Sequence, residues 1–269
     1  MSATSTLALV AADSPASAGT VAAALTALVD GAAAPPLQIG ELEDWAFVLR
    51  NADYLLVGAL MTVGLTVASI LLGFLVGFPA GAVETYGEGL PKRLVESVGV
   101  VLRGTPIVVI LVFMYFVLGV PSIDLGVVTL SGAVMSGILG LGLRSAAYQS
   151  QIFRATLGSV DDGQLEAARA VGMSQFEAIR HVAVPQALRR SVPGFQNEFT
   201  IVLKDTSIVF AIGLAELLTR SYDLFVERTT AVLEVIIFIS AIYFVLTFTT
   251  NRALDYLGDY YAIPGGESA

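Results

Sequence analysis

The sequence predicts an all-α integral membrane protein, a bundle of five spanning helices with one long polar insert. Three observations predict it. Mean hydropathy is +0.78, with 55% hydrophobic and 14% charged residues, a balance too oily for a soluble domain. Five apolar stretches, near 54–82, 98–119, 127–152, 192–212 and 230–250, each hold the ~20 helical residues that a hydrocarbon core of ~30 Å requires. Between the third and fourth, residues 158–190 are polar, arginine-rich and periodic in their own right.

Composition also excludes chemistry. There are no cysteines, which removes disulfides, thiolate metal sites and thiolate nucleophiles. The one histidine, His181, rules out a multi-histidine cluster, and no metal site is expected. A net charge of −9 and a pI near 4.6 argue against nucleic acid as a partner. The lipid bilayer is the partner such a composition demands.

Taken in order, residues 1–45 come first. Their Ala-rich run over 20–34 is weakly apolar, ends at Pro35 and Pro36, and lacks the basic n-region of a cleaved signal peptide. It reads as an extracytoplasmic or surface-lying lead segment. Residues 46–255 form the transmembrane domain. The first span carries Gly58, Thr62, Thr66, Ser69, Gly73, Gly77 and Gly81 three or four apart, a small-residue groove that lets another helix approach closely. Polar or turn-forming residues over 84–93, 121–124 and 216–229 separate the remaining spans, and 256–269 form a tail.

The basic residues set the orientation. Lys92, Arg93, Arg103, Arg154, Arg169, Arg180, Arg189, Arg190 and Arg252 fall on one side of a five-span arrangement. Only Arg50, Arg220 and Arg228 fall on the other, while Arg144 and Lys204 sit within spans. Basic residues favour the cytoplasmic side, so the insert and C-terminus are expected there and the N-terminus outside.

Within the insert, Leu165, Ala168 and Val171 recur at helical spacing, and Gly172 supplies a residue that ends a helix in a left-handed turn. Ser174 with Glu177 three positions later is a capping box, in which each side chain satisfies an orphan amide at a new helix start. Phe176, Ile179 and Val182 line one face, and Pro185 is expected to stop that helix. Arg180, Arg189 and Arg190 project around it. On these grounds alone, an amphipathic hairpin lying on lipid headgroups remains an alternative.

Glu166-Ala167-Ala168, then Gly172, then Val182-Ala183-Val184-Pro185, resembles the EAA loop of ABC-importer permeases. Further matches resemble the polar amino acid uptake branch. They are Arg103-Gly104-Thr105-Pro106, Ala147-Tyr148, Ile152-Phe153-Arg154, Pro185-Gln186-Ala187-Leu188-Arg189, Asn197-Glu198-Phe199, Lys204-Asp205-Thr206-Ser207 and Gly213-Leu214-Ala215-Glu216-Leu217, with Glu234 and Tyr243 in the last span. The resemblance runs over about 50–255. One departure is Gln151, where many members of the family have Glu.

The resemblance implies a type I importer permease fold with a cytoplasmic coupling-helix loop in a prokaryotic cell membrane. Its implied partners are a cytoplasmic ABC ATPase, a second permease copy or sister permease, and an extracytoplasmic substrate-binding protein. ATP and Mg would sit on the ATPase and no cofactor on this chain. A P-loop needs Gly-Lys-Ser/Thr, yet Lys92 follows Pro91 and Lys204 follows Leu203. The coupling residues expected are Glu166, Ala167, Ala168, Gly172, Ser174, Phe176, Glu177, Arg180 and Pro185. The small alanines admit a partner surface, Gly172 sets the angle between helices, and Phe176 is the apolar plug.

Intramembrane polar groups are the other candidates. Each buried charge costs about 2.5–3.5 kcal/mol even on insertion scales, so such groups face a cavity or one another. In the fourth span Asn197, Thr200, Lys204 and Ser207 fall at i, i+3, i+7 and i+10, with Glu198 and Asp205 on the adjoining strip. Arg144 and Glu234 are further ionisable groups. Two readings stay open: Lys204, Asp205 and Glu198 neutralise one another and pin helices, or the stripe lines a substrate path. The function expected is a transport subunit rather than an enzyme, moving polar amino acids by alternating access. A permease for another small polar solute and an ion-coupled secondary carrier are the alternatives.

Overall fold

The structure, a computed structural model, describes residues 42–261 except 125, 127 and 128. The lead segment expected over 1–45 therefore lies outside the described residues up to 41, and 42–45 belong instead to a helix, α1 (Leu42–Arg50). That helix turns Asp44, Phe47 and Val48 inward.

The first span is α2 (Ala52–Tyr86), 35 residues long with Pro79 in its interior. The second differs from the straight helix expected over 98–119. It is split into α3 (Gly89–Gly104) and α4 (Ile107–Val112), the latter running on as a π-helical turn, Phe113–Val117, and the two parts meet at 105°. Pro106 explains the break: it has no N–H to continue α3, and its ring forces Thr105 into extended backbone at ψ 130°. A two-residue hairpin follows, β1 (Ile123–Asp124) against β2 (Thr129–Leu130), antiparallel with Ile123 opposite Leu130.

Helix α5 (Gly132–Leu157) starts at Ser131, whose Oγ accepts the Val134 amide at 3.3 Å. The insert then comprises α6 (Asp162–Ala170), a glycine turn and α7 (Gln175–Ala178). A π-helical turn, Ile179–Ala183, joins α7 to α8 (Val184–Asp205), which tightens to a 3-10 segment over Thr206–Ile212. The stop expected at Pro185 is thus corrected. Pro185 directly follows the π-helical turn, whose wider geometry accommodates its ring and missing N–H, and the helical path continues from the insert into α8. Residues 216–229, expected as punctuation, hold α9 (Leu217–Glu227). Finally α10 (Val232–Tyr261) extends beyond the span expected over 230–250 and past the tail boundary at 256; 262–269 lie outside the described residues.

Small residues decide where the two longest partners touch. A Cβ on Gly77 would lie 2.6 Å from the Ala146 carbonyl oxygen, and one on Gly81 2.7 Å from that of Ser150. Any side chain there would push α2 and α5 apart. Beside this seam Phe153 stacks edge-on against Phe78 with centroids 4.9 Å apart, and meets Phe195 of α8 at 5.0 Å. Phe153, Leu157, Val160, Ala183 and Ala187 form the core cluster nearest the insert. A second cluster joins Leu65, Ile107, Ile110, Leu111, Leu141 and Val209, and a third joins Phe47, Leu55, Leu217, Leu224, Val235 and Ile239.

Among the described residues two helices are long and apolar enough to cross a membrane, Ala52–Tyr86 and Thr229–Tyr256, each with mean hydropathy 2.4 in its most apolar window. The bent α3–α4 pair would be a third. Helices α5 and α8 are less apolar because each carries polar residues along one face. Leu60, Leu71 and Leu75 of α2 and Ile237, Phe244 and Phe248 of α10 are exposed, as a lipid-facing surface requires.

Candidate functional site

Two regions hold the predicted residues. The first is the insert, fastened to the bundle at its base. Arg190 donates from Nη1 to the Ser159 carbonyl at 2.7 Å and to Ser159 Oγ at 2.8 Å. Gln186 Nε2 donates to Gln164 Oε1 at 2.6 Å, tying α8 to α6. Ala168, Ala178 and Ala183 are buried.

The turn forms as its sequence dictates. Gly172 has φ +101°, a backbone that L side chains rarely adopt. Ser174 Oγ accepts the Glu177 amide at 3.3 Å, and Glu177 Oε2 accepts the Ser174 amide at 2.8 Å, closing the capping box. The Ser174 backbone and side-chain hydrogen bonds hold the Glu177 carboxyl below its ordinary pKa, because they stabilise its charged form. The tip this frame presents is apolar: Val171 is 79% exposed and Phe176 70%. Glu166, Ala167, Arg180 and Pro185 are exposed as well.

The second region is the seam between α5 and α8. Arg144 of α5 forms an ion pair with Asp205 of α8, and its guanidinium lies 5.1 Å from the centre of the Tyr148 ring. Glu198 is buried and accepts from Ser145 Oγ at 2.7 Å. Gln149 Nε2 donates to Ser145 Oγ at 3.0 Å and to the Ile70 carbonyl at 3.2 Å, so the network reaches α2. Thr200 Oγ1 donates to Asn251 Oδ1 of α10 at 2.9 Å, and Ser207 Oγ to the Lys204 carbonyl at 2.8 Å. Glu234 is buried on α10, away from this seam in sequence and element.

The mutual neutralisation of Lys204, Asp205 and Glu198 is corrected by this geometry. Asp205 pairs with Arg144 and Glu198 with Ser145, because a helix turns Lys204 about 100° away from Asp205. Lys204 and Asn197 are exposed, and among the described residues no carboxylate lies within ion-pair distance of the Lys204 ammonium.

Other functional groups were not singled out by sequence. Ser145 and Gln149 share the face of α5 that meets the small-residue groove of α2, and their i, i+4 spacing was the available signal. Glu84 is buried at the end of α2, accepting from Gln151 Nε2 at 2.6 Å and Ser150 Oγ at 3.2 Å. Glu216 caps α9 by accepting the Leu218 and Thr219 amides at 2.9 and 2.7 Å. Asp44 of α1 binds Arg228 at 2.5 Å, a pairing no local pattern announces.

Residues 69–259 match the family model of the binding-protein-dependent transport system inner membrane component. The glutamine transport system permease protein GlnP of Escherichia coli K12 is 33% identical over 211 residues, covering 78% of this chain and 94% of that one. The probable amino-acid permease protein YxeN of Bacillus subtilis 168 is 31% identical over 206 residues, 76% of this chain and 89% of that one. A solved chain of an amino acid ABC transporter with histidines superimposes with a TM-score of 0.69 at 33% identity, covering 80% of this chain and 98% of that one. The exposed insert and the charged seam are thus parts of a transport component rather than an enzyme, and the chain belongs to the family of binding-protein-dependent transport system inner membrane components.

Proposed function

We propose that this chain is the permease subunit of an ATP-driven importer for polar amino acids. It crosses the membrane five times, with the N-terminus outside and the insert and C-terminus in the cytoplasm. The observation that carries the reading is the tip of the insert: Val171, at the end of α6, and Phe176, on the box-capped α7, stand 79% and 70% exposed. An apolar side chain held outward on a preorganised frame is suited to a partner's groove. The partner is a cytoplasmic ABC ATPase, which binds the ATP and Mg; this chain holds no cofactor. Glu166, Ala167, Ala168, Gly172, Ser174, Phe176, Glu177, Arg180 and Pro185 form the coupling surface or its frame.

A second permease, identical or sister, faces the α8 stripe, and an extracytoplasmic binding protein delivers the cargo. Asn197, Thr200, Lys204 and Ser207, with Arg144, Glu198, Asp205 and Glu234, are the candidates for the substrate path. Arg144 and Asp205 carry between them the two charges that complement a zwitterion. A cargo carboxylate can replace Asp205 on the guanidinium while its ammonium replaces Arg144 on the carboxylate, with little net loss of ion pairing. Closing the ATPases would draw the two inserts together and rock the spans between inward-open and outward-open states. Because the π-helical turn carries α7 into α8 without a break, motion of the insert is passed directly to the charged seam.

The test is Gly172→Asp in the purified complex. A Cβ at φ +101° strains the turn and redirects α7, so ATP hydrolysis should persist while uptake falls about tenfold or more. Glu166→Lys should act in the same direction. Coupled uptake at parental rates in both variants would sink the assignment.

A further inference from the structure

Between α3 and the seam of α2 with α5 lies a cavity of about 260 Å³. Val76 and Ala80 of α2, Leu94, Val98 and Leu102 of α3 and Leu143 of α5 give it apolar walls. Val76, Leu94 and Val98 are themselves exposed, and Leu71 and Leu75 of α2 are exposed beside Val76, so the cavity opens on an apolar surface. Such walls favour hydrocarbon over water. The α3 wall is tied in place. Arg103 folds back over Gly99, where a Cβ would meet its Nη1 at 2.9 Å, and that Nη1 donates to the Ala147 carbonyl at 2.7 Å.

One end of the cavity is basic. Ser150 lines it, and Arg154 follows one turn later on α5; Lys92 stands three residues before Val95 on α3, next to Arg93. These positions share an end, because Glu84 accepts from Ser150 and Gln151 while only Gly87 and Glu88 separate α2 from α3. Glu88 and Glu96 are close in sequence. Yet among the described residues no carboxylate lies within 4.0 Å of Lys92, Arg93 or Arg154. Glu84 lines the cavity as well, but neutral Gln151 stands between it and Arg154. Its Nε2 donates to Glu84 at 2.6 Å, and its Oε1 accepts from Arg154 at 3.5 Å. Three unpaired cations beside an apolar cavity complement a phosphate that carries a hydrocarbon chain.

The geometry points to a site for an anionic phospholipid, with one acyl chain in the cavity and the phosphate held by Arg154, Lys92 and Arg93. The headgroup is one without an ammonium, such as glycerol, since a cation there would face three charges of its own sign. The site requires only that the chain be embedded in a bilayer, and it holds whichever side of the membrane this end faces. Its consequence is mechanical. A bound chain gives Val76, Leu94 and Val98 the partner atoms they lack and packs α3, the first half of the bent span, against the bundle.

The experiment reconstitutes the protein, in complex with its partners, in phosphatidylcholine nanodiscs containing a little phosphatidylglycerol with a diazirine on one acyl chain. Light fixes that chain to whatever it touches, and mass spectrometry reads the labelled peptides. Residues 76–84 and 94–102 should be labelled, and unlabelled phosphatidylglycerol should compete while extra phosphatidylcholine does not. Arg154→Gln combined with Lys92→Gln should keep the folded yield and lower this labelling about fivefold or more, with labelling around Leu71 unchanged as the internal control. Val98→Trp fills the cavity but spares the basic end, and should abolish the labelling of 94–102. Equal labelling by a phosphatidylcholine analogue, or no change in the double variant, would reduce the cavity to ordinary lipid contact and overturn the site. Labelling at Leu71 with none at 76–84 or 94–102 would overturn it too, because protein would then cover the cavity.

Discussion

At the scale of single residues, the ion pair between α5 and α8 is where structure and function can be separated. Arg144 and Asp205 neutralise each other across α5 and α8. Removing one partner leaves the other stranded, at a cost of about 3–5 kcal/mol, whereas replacing both by neutral groups removes the desolvation burden as well. Asp205→Asn should therefore lower the amount of protein in the membrane, and the double variant Arg144→Gln with Asp205→Asn should restore it. If the pair lines the proposed substrate path, uptake should stay lost in the double variant, since the proposed complement to a zwitterion is gone. Restored uptake alongside restored protein would make the pair structural only. Gln151 illustrates the same sensitivity: its amide donates to buried Glu84 at 2.6 Å, a bond that an ionised glutamate there would turn into repulsion.

At the scale of elements, backbone approach fixes the bundle. With Gly77 and Gly81 each within 2.6 to 2.7 Å of a facing carbonyl by their would-be Cβ, α2 and α5 touch along their main chains. Gly81→Leu should separate them, costing about 1–3 kcal/mol or more, and sharply reduce folded protein in membranes; Gly64→Leu, with open space around its Cβ, serves as the tolerated control. Equal yields of the two variants would refute the tight seam. This groove was legible from sequence because small-residue spacing is a local pattern, and so were the Gly172 turn and the Ser174 capping box. Hydropathy over 98–119 does not carry the bend at Pro106, because it ignores a lost amide donor. Pro185 reads as a stop for the opposite reason. Its effect depends on whether the turn before it is α- or π-helical, and a π-helical turn has no signature in a single sequence. The Arg144–Asp205 partnership was equally hidden, since it joins residues 61 apart that only packing brings together.

At the scale of the whole molecule, the exposed surfaces state what the chain lacks. Lys204 and Asn197 are uncovered on α8, and where that helix spans the membrane as proposed, a lipid-facing ammonium costs about 2.5–3.5 kcal/mol. Phe176 is uncovered on a polar hairpin, where an aromatic side chain gains nothing from water. Both faults vanish if a second permease meets the α8 stripe and an ATPase meets the hairpin. The chain has no cysteine, so single introduced thiols report without background. Phe176→Cys should react with a membrane-impermeant maleimide in inside-out vesicles, not in intact cells, and be protected once the ATPase is bound. Asn197→Cys should react with water-soluble reagents and form a cross-link to a neighbouring permease with a short bifunctional maleimide. The mass of that product distinguishes an identical copy from a sister chain. Val245→Cys on the exposed side of α10 should do neither, because an exposed apolar side chain on a helix apolar enough to cross a membrane is expected to face lipid. If Phe176→Cys labels only from outside, the orientation is inverted; if Asn197→Cys behaves like Val245→Cys, the charged stripe faces hydrocarbon and the paired pore has no physical support.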